Sequence, residues 1–236
     1  MLTLLVVAAG LLALGASDDD IFLGEKHKPG FVKFENGDDM FYWLFYSRDS
    51  RATDPLTIWL SGGPGCASEM SVLYENGPFL LQDDSTLAKN PYSWNNNANL
   101  LYLDQPVGTG FSGVASDSDY RRTEAGVAQD FVYFLQKFLE LNPEFKGRDL
   151  YITGESYGGH YVPAVSAHLR KQGSVDLNLK AVAIGNGWTN PYEQYPTYAS
   201  FSYENGLIGE LRYYALEAGR LQGVPESDLA RHAGGG

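Results

Sequence analysis

The stretch DLYITGESYGG, residues 149–159, decides the fold. Its apolar beginning, Asp149 to Thr153, is typical of a strand, and the segment from Tyr161 to Arg170 has the composition of a helix. A Gly-x-Ser-x-Gly motif between a strand and a helix is typical of a nucleophile elbow, a sharp turn that projects a serine hydroxyl. The two glycines make room for the turn, and Ser156 is the candidate nucleophile.

Before and after this stretch, apolar runs in the sequence predict more strands and one long helix. Two aromatic-rich runs, 31–34 and 40–47, flank ENGD at 35–38, and Asn-Gly in that position favours a β-hairpin. The other predicted elements are buried strands at Leu56–Leu60, Leu100–Leu103 and Leu179–Ile184, and a helix from Thr123 to Leu141. Strands that alternate with helices indicate a mostly parallel sheet with helices on both faces. With the elbow, this pattern predicts an α/β fold of the α/β-hydrolase type.

Composition limits the classes of function. The chain has 236 residues, enough for one sizeable domain, and its 44% hydrophobic content is typical of a folded protein. A net charge of −12 argues against nucleic acid or an anionic membrane as a partner. The sequence contains no metal cluster, phosphate loop or dinucleotide fingerprint, so we expect no cofactor.

The first residues have the pattern of a secretory signal. Met1–Ala16 is uncharged after the amino terminus, rich in Leu, Val and Ala, and ends in small residues before an acidic run. A short membrane anchor is the alternative, although a bilayer span needs about 20 apolar residues. We therefore predict a signal peptide at 1–16, a domain at 17–236 and no membrane span in the mature chain.

Cys66 is the single cysteine of the chain, which is unusual for a secreted protein. A lone cysteine indicates a reactive thiol, an intermolecular bond or a partner outside the sequence.

A second glycine-rich turn, SGGPG at 61–65, follows the strand that ends at Leu60. Acyl transfer needs donors for a tetrahedral oxyanion, and backbone without side chains can approach a substrate closely. We assign one donor to the Gly63 N–H and the other to the Tyr157 N–H. The alternative is that these glycines only form a tight turn.

Glu155 precedes the candidate nucleophile, where partial burial is expected to raise the pKa of its carboxyl. A protonated carboxyl can donate a hydrogen bond to the carboxylate of a peptide's C-terminus. Glu75 is a candidate to share that proton. The alternative is that both are ordinary surface charges.

Four blocks of sequence together resemble the serine carboxypeptidase family. They are WLSGGPGC at 59–66, NPYSWN at 90–95, LDQPVGTGFS at 103–112 and GNGWTNP at 185–191. The resemblance runs in order from about Gly30 to Leu207. It implies removal of single residues from peptide C-termini, usually at acidic pH, by a secreted or lysosomal/vacuolar enzyme.

The resemblance also implies roles for individual residues. Ser156 is implied to be the nucleophile, Gly63 and Tyr157 the oxyanion donors, Trp59, Gly62 and Glu155 the holders of the terminal carboxylate, and Glu75 the acid paired to Glu155. Cys66 stands where the family has a cysteine disulfide-bonded to one in its later half. Ser61 departs from the family pattern, which usually has Asn there, and a serine hydroxyl reaches less far than an amide.

A larger departure concerns the catalytic Asp and His. In α/β-hydrolases both follow the nucleophile, each after a later strand. The histidines of this chain, His27, His160, His168 and His232, are poor candidates by position, although Asp228 lies one helical turn before His232. We therefore expect an N-terminal portion of the fold that lacks its C-terminal part. Such a portion has negligible activity alone and is a candidate to associate with the missing half.

Two other functions stay open at this point. Acyltransferases of the same family use sugar-ester donors but tend to carry Asp where this chain has Glu155, and the departure at Ser61 keeps them in consideration. A non-catalytic, truncated binding protein is the third possibility.

Overall fold

The computed structural model describes residues 21–222. The predicted signal peptide at 1–16 lies outside this range, as do Asp228 and His232. The described residues divide into two compact units, 21–187 and 188–222.

The first unit is built on a six-stranded sheet in the order β1-β2-β6-β3-β7-β8. Strands β6, β3, β7 and β8 run parallel, while β1 and β2 form an antiparallel hairpin that joins β6. The strands of this sheet are β1 His27–Lys33, β2 Asp39–Phe45, β3 Leu56–Leu60, β6 Asn99–Leu103, β7 Asp149–Glu155 and β8 Asn178–Gly185, and a small hairpin pairs β4 Phe79–Leu81 with β5 Leu87–Lys89. The mostly parallel α/β sheet predicted from the sequence is confirmed.

The first hairpin forms where Asn-Gly predicted it. Lys33 pairs with Asp39, and the Phe34 N–H donates to the Asp38 carbonyl at 2.9 Å to close the turn. The buried Asp38 carboxylate also accepts the Ala115 N–H at 2.8 Å, so the turn is tied to a distant loop.

Apolar side chains alternate between the two faces of the sheet. Helices α2, Glu124–Leu141, and α3, Gly158–Gln172, pack together on one face over a core that includes Ile58. The other face carries helix α1, Met70–Tyr74, whose Val72 belongs to a smaller core with Trp59.

Helix α3 begins three residues earlier than the sequence predicted, because Gly158 and Gly159 already form its first turn. Helix α2 matches its prediction closely. Thr123 is its N-cap and accepts the Gly126 N–H at 3.2 Å, and the helix ends at Leu141 before Asn142.

The prediction that residues 179–184 form a buried strand was wrong in one respect. The strand exists as β8, but most of its side chains are exposed, including Val182 at 46% and Ile184 at 36%. In the described part of the chain β8 is an edge strand that pairs only with β7. A parallel strand is buried only where other elements cover both of its faces, and here only Leu179 packs against the core.

The second unit contains three helices that the sequence analysis did not predict. They are α4 Pro191–Gln194, α5 Thr197–Glu204 and α6 Glu210–Gln222. Tyrosines hold them together, since Tyr195 packs on Tyr198 at 5.4 Å and Tyr203 stacks on Tyr213 at 4.9 Å between ring centroids. Across residues 21–222, every helix is too short or too polar to traverse a bilayer.

Candidate active site

Three adjacent parallel strands end at the same edge of the sheet. Asp104 follows β6, Ser61 follows β3, and Ser156 follows β7. The carboxyl edge of a parallel sheet is where open α/β folds place their ligands. The candidate residues Ser61 and Ser156, from separate stretches of sequence, therefore share one edge with Asp104.

Ser156 has the geometry of a nucleophile elbow. Its φ of 57° is left-handed, a strained conformation for a residue with a side chain. Its N–H donates to the Gly185 carbonyl at 3.0 Å, which fixes the turn against the end of β8. A Cβ on Gly154 would lie 2.6 Å from the Leu60 carbonyl oxygen, so the approach to β3 requires glycine at that position. The Ser156 side chain is exposed at the sheet edge.

The glycine-rich turn after β3 lies directly against the elbow. A Cβ on Gly62 would lie 2.5 Å from the Tyr157 backbone nitrogen and 2.9 Å from the Ser156 Cβ. Three hydrogen bonds hold the turn. The Cys66 N–H donates to the Gly62 carbonyl and the Ser61 N–H to the Ser68 Oγ, both at 3.1 Å, and the Gly65 N–H donates to the Tyr161 Oη at 3.3 Å. The Gly62 backbone therefore lies against the Tyr157 amide and beside Ser156, and an oxyanion formed at Ser156 would need backbone N–H donors in this region.

Trp59 and Ser61 lie together with a third residue, Ser71. The Trp59 Nε1–H donates to the Ser71 Oγ at 2.9 Å and to the Ser61 Oγ at 3.1 Å, and the two hydroxyls are 3.2 Å apart. Trp59 is 7% exposed and packs edge-on against Trp94. Because the Trp59 indole N–H donates to both hydroxyls, Trp59 holds the side chains of Ser61 and Ser71 in position. Ser71 comes from α1 and no motif indicated it.

The structure brings Glu155 and Glu75 into contact. The pKa of the Glu155 carboxyl is raised, first by burial, then by the charge of Glu75 and by a hydrogen bond with it. The Glu75 N–H donates to the Ser71 carbonyl at 3.3 Å, which links this pair to the Trp59–Ser61 group. One proton shared between two carboxyls makes a donor that can face a carboxylate ligand.

A cavity of about 510 Å³ lies beside the elbow, lined by residues that include Pro64, Val107, Glu124, Tyr157 and Tyr161. The Tyr157 Oη–H donates to the Glu124 Oε1 at 2.9 Å, and its ring packs on Tyr161 with centroids 4.9 Å apart. Burial and the Glu124 carboxylate raise the pKa of the Tyr157 phenol. Glu124 and Tyr161 were not identified from sequence, because their contacts join distant segments.

The described histidines contact other side chains. His160 packs its ring on Tyr157 at 4.7 Å, His168 lies 3.3 Å from the Gln172 side chain on α3, and His27 accepts from the Trp43 indole on the hairpin. Cys66 is a free, exposed thiol beside the glycine-rich turn.

The sequence matches the family model described as serine carboxypeptidase over residues 18–226. Serine carboxypeptidase-like 49 of Arabidopsis thaliana is 47% identical over 197 residues, which cover 81% of this chain and 38% of the relative. A serine carboxypeptidase-like protein of Oryza sativa is 44% identical over 223 residues, or 92% of this chain and 50% of the relative. The chain therefore spans half or less of the length of these relatives.

Among solved structures, the chain is similar to Kex1ΔP, a prohormone-processing carboxypeptidase from Saccharomyces cerevisiae. The TM-score is 0.71 at 32% identity, with 79% of this chain and 44% of that one covered. A fungal esterase from Rhizomucor miehei aligns with a TM-score of 0.50 at 13% identity, which shows the shared α/β-hydrolase fold alone.

Proposed function

The chain belongs to the serine carboxypeptidase family, and from that premise we propose that it is the nucleophile-bearing part of an enzyme that releases C-terminal residues from peptides. The family is one of hydrolases. The proposal concerns which residues act and what this portion of the protein does.

The main support for the proposal is the pair of carboxyls, Glu155 and Glu75, beside the nucleophile. An exopeptidase has to recognise a free C-terminal carboxylate next to the scissile bond, and Glu155 directly precedes Ser156. The raised pKa of Glu155 keeps a proton in the pair with Glu75 at acidic pH. The pair then donates to the substrate carboxylate, with Ser61 and the Gly62 backbone beside it.

In the proposed reaction, the Ser156 Oγ attacks the carbonyl carbon of the last peptide bond and gives its proton to a general base. The oxyanion that forms is bound by the N–H groups of Gly63 and Tyr157. The base returns the proton to the leaving amine as the C–N bond breaks, which leaves an acyl-enzyme on Ser156. Water then attacks the ester and releases the shortened peptide.

We place the catalytic Asp and His in the part of the family's length that this chain does not span. Loss of the base from a catalytic triad removes most of the rate and leaves the contributions of binding and oxyanion stabilisation. The chain alone is therefore expected to bind peptide C-termini and to turn over negligibly.

A chimera tests this assignment. The chain is fused to the remaining C-terminal portion of the Arabidopsis relative, and release of the last residue from an N-blocked dipeptide is followed at about pH 5, close to the ordinary carboxyl pKa. The proposal expects release by the chimera, none by its Ser156→Ala variant and negligible release by the unfused chain. Turnover by the unfused chain, or turnover by the chimera that survives Ser156→Ala, contradicts it.

We further propose a reaction class, a destination and a partner for the protein. Peptidase activity is favoured over acyl transfer from sugar esters because the residue before Ser156 is Glu155, paired with a second carboxyl. Delivery through the secretory pathway, to the exterior or to a lysosome or vacuole, is proposed from the signal-like start of the chain. The missing half is the proposed partner of the exposed strand β8.

A further inference from the structure

Two serine hydroxyls lie together at the candidate site, and only Ser61 was a candidate from the sequence. The Ser61 Oγ and the Ser71 Oγ are 3.2 Å apart, and both accept the Trp59 Nε1–H, at 3.1 and 2.9 Å. Trp59, Ser61 and Ser71 are 7%, 9% and 1% exposed, so water has little access to them. The three side chains therefore set the hydrogen bonds of this group themselves.

The supply of protons and lone pairs fixes the direction of these hydrogen bonds. A hydroxyl has one proton and two acceptor lone pairs. Among the described residues, the Ser71 hydroxyl makes hydrogen bonds only with Trp59 and Ser61. Because Ser71 is almost fully buried, its proton goes to the one acceptor that it reaches there, the Ser61 Oγ. Both lone pairs of Ser61 are then occupied, one by the Trp59 N–H and one by the Ser71 O–H.

This arrangement leaves the Ser61 hydroxyl as a donor only. Ser61 directly precedes Gly62, whose Cβ position lies 2.9 Å from the Ser156 Cβ, so the donor is close to the nucleophile. A carboxylate has only acceptors, whereas a primary amide has two N–H donors besides its oxygen. A hydroxyl that can donate but cannot accept therefore favours a peptide that ends in a free carboxylate over one that ends in an amide.

The backbone of Ser71 has a separate contact with the segment that carries Glu75. The Ser71 carbonyl accepts the N–H groups of Glu75 at 3.3 Å and of Gly77 at 3.1 Å. Ser71 thus contacts Ser61 through its side chain and the Glu75 segment through its backbone. A substitution of the Ser71 side chain therefore removes the first contact and keeps the acceptor for the second.

We propose that Ser71 is a positioning residue: its hydroxyl donates to Ser61 and leaves the Ser61 O–H free to donate to the terminal carboxylate of the substrate. This inference rests on the proposed function and adds a neutral donor to the Glu155–Glu75 pair. It also gives a physical reason why serine serves at position 61, where the family usually has Asn. An Asn amide carries its own N–H donor, whereas a serine hydroxyl needs a neighbour that occupies its second lone pair.

The test compares the affinities of an N-blocked dipeptide and of its C-terminal amide, titrated by calorimetry into the Ser156→Ala chain at about pH 4, near the ordinary carboxyl pKa. With Ser71→Ala added, the Ser61 hydroxyl regains a free lone pair and can accept from the amide. We expect the free acid to bind about three- to tenfold more weakly, the effect of one hydrogen bond, and the amide to bind equally well or better.

Ser166→Ala is the matched control. It removes another buried serine hydroxyl, on α3, which has no hydrogen-bond partner in the described part of the chain. The ratio of the two affinities should equal that of the parent Ser156→Ala chain. Where Ser71→Ala does not fold, Ser71→Cys keeps the side-chain size with only a weak hydrogen bond, and we expect the same fall in the ratio.

A second background separates positioning of Ser61 from a general loss of structure. Ser61→Asn supplies an N–H donor that does not depend on the Ser71 hydroxyl. In the presence of Ser61→Asn, the further change Ser71→Ala should therefore leave the ratio of the two affinities unchanged.

Three results would overturn the proposal. They are a ratio that Ser71→Ala does not change, a weakening of both ligands alike, and an effect of Ser71→Ala that is equal with and without Ser61→Asn. If the parent chain does not distinguish the acid from the amide at all, the proposed function fails together with this inference. Discrimination that is present but independent of Ser71 contradicts this inference alone.

Discussion

The Cβ position of Gly62 lies 2.5 Å from the backbone nitrogen of Tyr157. No side chain fits between the turn after β3 and the elbow after β7, so the two backbones meet directly. This contact places the Gly62 backbone against the Tyr157 amide, one of the candidate oxyanion donors, beside the exposed Ser156.

The first prediction is that Gly62→Ala separates the turn from the elbow. The added methyl group would overlap backbone atoms of Glu155 and Tyr157, and overpacking of this kind costs about 1–3 kcal/mol. We expect a lower unfolding midpoint in urea and, in the active chimera, a loss of kcat on the order of 10²-fold or more. Gly209→Ala is the control, since its Cβ would meet open space. Equal stability and activity for the two variants would contradict the contact.

The second prediction concerns Arg121, which joins the first hairpin turn to helix α2. Its guanidinium pairs with Asp130 and, at 3.7 Å, with the buried Asp38. Arg121→Ala removes the cation that pairs with both carboxylates, and we expect the free energy of unfolding to fall by about 2 kcal/mol. This loss is smaller than for a fully buried pair because Arg121 is partly exposed. The measurement is urea unfolding.

Arg122→Ala is the matched control for that experiment, because Arg122 is the exposed neighbour. Its unfolding free energy should stay within about 0.5 kcal/mol of wild type. If both variants lose the same stability, the Arg121 network is not the cause.

The third prediction is a loss of stability as pH rises from the ordinary carboxyl range. Burial and the charge of Asp104 raise the folded-state pKa of Glu69 to about 8, above its unfolded value of 4.5, so the folded protein binds more protons between these two values. The contribution of Glu69 to the free energy of unfolding is fully present below pH 4.5 and is lost as the pH rises through about 8. The difference in unfolding free energy between wild type and Glu69→Gln should therefore change steadily across this window. A constant difference would show that Glu69 titrates alike in both states.

The fourth prediction concerns the pH dependence of ligand binding. Glu155 has a raised pKa, so its protonated form persists above the ordinary carboxyl range and is lost as pH rises further. Binding of a peptide with a free C-terminus should therefore weaken with rising pH, because the pair becomes negatively charged. Glu155→Gln should bind with a flatter pH profile, as followed by calorimetric titration. If the pH profile of binding is the same for Glu155→Gln and wild type, the carboxyl pair does not take part in recognising the peptide's C-terminus.

The sequence predicted those parts of the site that lie in contiguous motifs. The elbow at Ser156 and the turn at Gly62 need backbone that approaches its neighbours closely. Only glycine allows this approach, so the spacing of the glycines in the sequence predicts both turns. The pairing of Glu155 with Glu75 required the family resemblance, since nothing local distinguishes Glu75 from a surface glutamate.

Other features depend on contacts between distant segments. Ser71 reaches Trp59 only because α1 folds back under β3, and Glu124 reaches Tyr157 only because α2 begins beside the elbow. Burial of β8 was predicted from its apolar composition, but composition does not reveal which elements cover a strand.

The most direct test of the central claim compares two ligands that differ at one group. An N-blocked dipeptide with a free carboxylate and its C-terminal amide are titrated into the Ser156→Ala chain at about pH 4, near the ordinary carboxyl pKa, where the raised pKa of Glu155 favours its protonated form. We predict that the free acid binds and that the amide binds at least about tenfold more weakly, a difference of about 1.4 kcal/mol. Equal affinity for the two ligands would contradict a site that recognises peptide C-termini.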